Sequence, residues 1–161
     1  MKFSRLTKEQ FEELSDEFAL FLASNAIDSH KWKKIKTTSV DLTDKILDLF
    51  SDTVWNKVLS KVNYLNNISS SHIFLFKCNK NSIDSIVIKS NDNQIDFKKS
   101  ETHSFFLKNL NSEKIEAFRA VKKLNKKEQK KEIHKLILNG SEISDGELYE
   151  MYCKRLSLIH I

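Results

Sequence analysis

The chain has 161 residues, 40% of them apolar and 30% charged, with a formal charge of +5. That composition is ordinary for a folded globular protein, and the length can bury roughly 70% of the unfolded surface without disulfide or metal staples. The longest apolar run, Ala19 to Ala23, falls far short of the about 20 residues a membrane helix needs, and Glu9, Glu12 and Glu13 stand where a secretory signal would be apolar. The reading is therefore one compact domain over residues 1–161, cytoplasmic and without a membrane partner.

Punctuation is sparse, with two glycines and no proline. The first helix is still well marked. Thr7-Lys8-Glu9-Gln10 has the form of a capping box, and Phe11, Leu14, Phe18 and Leu22 follow at helical spacing. Asp28 caps a short second helix carrying Trp32 and Ile35. From Asp41 a wide stripe of Leu42, Ile46, Leu49, Phe50, Val54, Val58 and Val62, broadened by Leu47, Trp55 and Leu59, predicts a core-facing helix of about 20 residues. Trp32 and Trp55 read as core anchors, with Asp44, Asp48, Asp52 and Lys57 on the opposite side.

The polar stretch NNISSS, residues 66–71, reads as a break. HIFLFKC (72–78) and IDSIVIK (83–89) are rich in Ile, Val and Phe and read as two strands of an antiparallel hairpin. Phe74 and Phe76 alternate with Ile73 and Leu75, so both strand faces are apolar and the sheet should be covered on both sides. A helix capped by Ser100 is expected to run to Leu110, and KIEAFRAV (114–121) is a candidate third strand. Asn125 with Glu128 opens another helix, whose Ile133, Leu136 and Ile137 face inward and which Gly140 ends. Ser144 to Glu147 reads as a capping box for a last helix with Leu148, Tyr149, Tyr152 and Leu156. The element order predicts α+β: a helical N-terminal half packed on a small, mainly antiparallel sheet, with C-terminal helices.

Charge is concentrated. Residues 1–70 are neutral, and the stretch Lys122 to Lys135, with seven lysines against two glutamates, by itself matches the whole excess. The doublets Lys122/Lys123, Lys126/Lys127 and Lys130/Lys131 recur every four residues, which on a helix makes a basic stripe. Such a stripe grips phosphates but reads no base edges, so no DNA sequence reading is expected. Lysine outnumbers arginine 24 to 3, and Asn and Ile are frequent, the mark of an AT-rich genome that supplies surface lysines without function.

No phosphate-binding glycine loop, HExxH or GxSxG is present, and two glycines could not build a phosphate cradle. Cys78 and Cys153 form no CxxC pair and read as free thiols; the five histidines are scattered. The carboxylates Glu12, Glu13, Asp16 and Glu17 read as a solvated helix face. No catalytic, metal or cofactor residue is assigned.

The segments FSDTVWNKVLSKVNYL (Phe50 to Leu65), KFSRLTKEQFEEL with FLASNAID, and GSEISDGELY (Gly140 to Tyr149) resemble an uncharacterised bacterial family of small proteins, flavobacterial in type and about this length. The resemblance covers nearly the whole chain. It implies a compact unit and no known activity, and it rests on Phe50, Trp55, Leu59, Tyr64, Gly146, Leu148 and Tyr149 rather than on the lysines. Two readings of function follow. One is a small accessory or protein-interaction protein without catalysis, with Leu158, Ile159 and Ile161 of the apolar end LSLIHI either packing at home or docking on a partner. The other is an RNA- or ribosome-associated protein using Lys122, Lys123, Lys126, Lys127, Lys130 and Lys131.

Overall fold

The computed structural model describes residues 2–99, 110 and 113–159. Among the described residues are six helices and five strands, and the chain divides into two compact units, residues 1–60 and 61–161. The class is α+β, with an all-helical first unit and an antiparallel sheet flanked by helices in the second.

In the first unit, α1 (Lys8–Glu13) opens on the expected capping box: Thr7 accepts from the Gln10 N–H at 3.2 Å, and the Gln10 side chain accepts from the Thr7 N–H at 2.9 Å. The expected long helix is broken at Leu14, whose backbone leaves helical geometry, and α2 (Ser15–Ser24) starts afresh. Asp28 caps α3 (Ser29–Thr38) through the Lys31 N–H, and Ser39 caps α4 (Val40–Leu59). The stripe on α4 is narrower than its sequence pattern. Ile46, Phe50, Ser51 and Leu59 are buried, whereas Leu42, Leu49 and Val58 are exposed. A helix with nine apolar stripe positions cannot turn all of them to one side; Val62, the tenth, lies past its end and is buried.

Phe11, Phe18, Phe21, Trp32 and Phe50 form a cluster of ring contacts, with centroids 4.9–6.4 Å apart. Trp55 is half-buried rather than a sealed anchor, and its indole N–H donates to the Ser4 carbonyl at 3.0 Å. The acidic side of α4 is occupied. Asp52 accepts the backbone N–H groups of Lys2 and Phe3 at 2.7 and 2.9 Å, and Asp48 and Asp44 take the Arg5 guanidinium at 2.8 and 3.2 Å.

The second unit is built on a sheet of order β4-β3-β2-β1-β5, antiparallel throughout. β2 (His72–Cys78), β3 (Ser82–Ser90) and β4 (Ile115–Lys123) lie where the sequence places them. β1 (Tyr64–Ile68) runs through the stretch read as a polar break, and the short β5 (Glu142–Ser144) takes the place of part of the expected capping box. Helix α5 (Lys126–Leu138) has Asn125 as its cap; α6 (Glu147–Leu158) begins after Gly146, which sits at φ 87° and supplies no side-chain cap. The helix expected from Ser100 lies outside the described residues, except for the buried Leu110.

Register and strand alternation assign the two faces. Ile73, Leu75, Ile86, Ile88 and Ile115 point to one side, where they join Phe97, Leu110 and the α6 residues Tyr149, Tyr152 and Leu156 in the core. Phe74, Phe76, Val87, Phe118 and Ala120 point to the other, toward which α5 contributes Leu136.

Candidate functional site

The six lysines come from two elements. Lys122 and Lys123 end β4 and therefore point to opposite faces, so the basic stripe is helical only from Lys126 onward. Lys122 pairs with Glu132 of α5 at 3.1 Å. Lys123, Lys126, Lys127 and Lys131 are exposed, and Lys130 is half-buried. Lys126 and Lys127 occupy the first turn of α5, where the helix dipole disfavours cations by about 0.3–1 kcal/mol.

Beside that ion pair the sheet and α5 enclose a cleft of about 240 Å³. Phe76, Ile83, Ala120 and Leu136 give it apolar walls, and Lys122 and Glu132 are its charged members. The Gln129 amide holds α5 in place, donating to the carbonyls of Asn79 and Ser82 in the β2–β3 turn. Nothing local in the sequence marks this cleft, because its walls are drawn from residues 76 to 136.

A second cluster ties α6 to the sheet. Tyr64 Oη and Lys77 Nζ both donate to Glu150 Oε1, at 2.7 and 2.9 Å. The Lys77 ammonium also lies 5.8 and 5.9 Å from the ring centres of Tyr64 and Tyr149. Hydrogen bonding to Glu150 raises the pKa of Lys77 and of Tyr64, and the same bond from Lys77 holds the Glu150 carboxyl lower than usual. Gly146 lies against the Tyr64 ring, which a Cβ there would strike. Tyr64, Gly146 and Tyr149, three residues that carry the family resemblance, thus meet at one place. Their arrangement is mechanical: it docks α6 and sets its entry angle.

Both thiols are free and half-buried. Burial pushes Cys78 up to about 11, so it stays protonated and a poor nucleophile at neutral pH. Cys153 Sγ lies 3.3 Å from Arg119 Nη2. His72 stacks on Phe74 at 5.6 Å, His30 is exposed and His134 half-buried; His103 and His160 lie outside the described residues. Among the described residues no group of three His, Cys, Asp or Glu is placed to hold a metal ion, and no helix is long and apolar enough to cross a membrane. Of the apolar end, Ile159 packs against the core, Leu158 is 64% exposed, and Ile161 lies outside the described residues.

The elements make an α+β protein. The chain belongs to a family of unknown function, DUF6495, which it matches over residues 1–157. No curated protein and no solved structure matches it.

Proposed function

We propose that the protein is a small cytoplasmic accessory protein that works by binding another protein, without catalysis. The observation that carries this reading is edge strand β4, where Phe118 on one face is 52% exposed and Val121 on the opposite face is 64% exposed. Large apolar side chains kept in water on a regular strand are a cost that a docking partner removes. Leu158, exposed at the end of α6, belongs to the same class of surface. The test is affinity capture from native lysate with and without nuclease. A protein retained after nuclease, and lost with Phe118→Lys, supports the reading; retention of nothing but nucleic acid would defeat it.

A second reading is favoured by one feature. Lys123, Lys126, Lys127 and Lys131 are all exposed where β4 meets α5, and two of them tolerate the unfavourable end of a helix dipole. In this reading the protein is RNA- or ribosome-associated. Single-stranded RNA affinity would then fall with salt at a log–log slope of about −0.7 per phosphate contacted. Changing Lys126, Lys127, Lys130 and Lys131 to Gln should lower sub-micromolar binding about a hundredfold, which is about 2.7 kcal/mol. Weak binding by the parent at physiological salt returns these lysines to a solvated helix face.

A further inference from the structure

β4 ends the sheet, and among the described residues nothing pairs with its outer side. It is nine residues long and matches β3 one to one without a bulge. The Asn91 N–H donates to the Lys114 carbonyl, and the Leu124 N–H donates to the Asn81 carbonyl. These bonds fix the phase of the ladder. Even-numbered residues of β4 turn their backbone groups to β3, while Ile115, Ala117, Arg119, Val121 and Lys123 turn theirs outward. Such a row is a template for another strand.

We infer that the strand it takes is β4 of a second copy, antiparallel about a two-fold axis through Phe118. The inference rests on the interaction-protein reading and names the partner. A two-fold axis perpendicular to the sheet must set a residue opposite itself, since opposed side chains share a face. With Phe118 opposite Phe118 of the second copy, two half-exposed rings cover each other. Val121, also exposed, falls opposite the buried Ile115, and Ala117 opposite Arg119. The outward groups of those pairs then exchange backbone hydrogen bonds.

Charge selects the same direction. Glu116 stands in the first half of the strand, Arg119 at its centre, and Lys122 and Lys123 in the second half. An antiparallel mate puts Glu116 diagonal to Lys122 of the second copy, whereas a parallel mate sets like charge beside like. Lys114 and Lys122 do face each other, but both already carry a carboxylate: Asp92 at 3.4 Å and Glu132 at 3.1 Å. Moving the axis one residue to Arg119 would oppose two guanidinium groups instead. The two five-stranded sheets become one continuous sheet.

Sedimentation of the full chain at about 100 µM, where a micromolar dimer is saturated, should give twice the monomer mass. Phe118→Lys and Val121→Pro should both be monomeric with unchanged far-UV circular dichroism. Proline is tolerated at Val121 because its N–H faces outward. In a background of Cys78→Ala with Cys153→Ala, Phe118→Cys should oxidise to a reducible covalent dimer, and Arg119→Cys should not. A monomeric parent at that concentration overturns the inference, as does a dimer that both variants leave intact. Crosslinking through Arg119→Cys alone overturns the register. If the parent is monomeric yet Phe118→Lys still loses a protein captured after nuclease, the interaction reading stands and self-pairing falls. If no such protein exists either, both fall.

Discussion

The two faces of the sheet are built from the same strands and end differently. One carries Ile73, Leu75, Ile86 and Ile88, all at 0% exposure, under Tyr149, Tyr152 and Leu156 of α6. The other carries Phe74, Val87 and Phe118 in one cross-strand row, half-buried at Phe74 and Val87 and open at Phe118. Hydropathy alone does not separate them, since alternate positions on β2 are apolar on both sides. Cover separates them. A sealed face contributes stability, while an open apolar face contributes surface that something else can use.

That contrast can be broken by substitution. Tyr152→Ala empties a fully buried aromatic site on the sealed face and should cost about 3–5 kcal/mol by denaturant unfolding. A loss under about 1 kcal/mol would show that α6 does not seal the sheet. Gly146→Ala should cost about 2–3 kcal/mol, because a left-handed backbone is strained for alanine and its Cβ meets Tyr64. An unchanged midpoint there would mean α6 can enter at another angle.

The open face should respond far less. Phe118→Ser, measured at sub-micromolar concentration to keep copies apart, should shift stability within about 0.5 kcal/mol. A loss approaching that of Tyr152→Ala would erase the distinction between the faces. Smallest of all is the Glu150 link. Its carboxyl is held lower when folded, so its contribution is present above the ordinary carboxylate range and disappears as pH falls through the folded value. Lys77 is raised, so its share disappears only as pH rises through the lysine range. Glu150→Gln should therefore lose a few tenths of a kcal/mol at neutral pH and converge with the parent once pH has fallen below the lowered folded value. Both partners are substantially exposed, and a steep acid transition unique to the parent would contradict this.

Much of the sheet unit was legible because its signals are local. Asn125 caps α5 at 2.8 Å through the Glu128 N–H, and β2 and β3 appear as runs of Ile, Val and Phe. β1 was not legible, since it contains Asn66 and Asn67. Those amides are satisfied by distant groups, Asn66 accepting from Ser144 Oγ at 3.2 Å and Asn67 donating to the Asn139 carbonyl at 3.5 Å. A pattern scan sees polar residues and cannot see partners more than 70 positions away. The lysine doublets cross an element boundary. Their period of four persists across the end of β4 into α5, though only the helical part presents them on one side. The α4 stripe overstated burial, because apolar residues are common on helices that a neighbour covers along only part of their width.

The opening segment has a consequence for the order of events during synthesis. Lys2, Phe3 and Arg5 leave the ribosome before the carboxylates that receive them, which stand 39 to 50 residues later, at Asp44, Asp48 and Asp52. Until α4 has emerged and coiled, those residues have no berth. While they wait, the three carboxylates, spaced by four, repel one another along α4. This segment, made before α4, can thus settle only after that helix has formed, and its arrival relieves the charge on the helix that receives it.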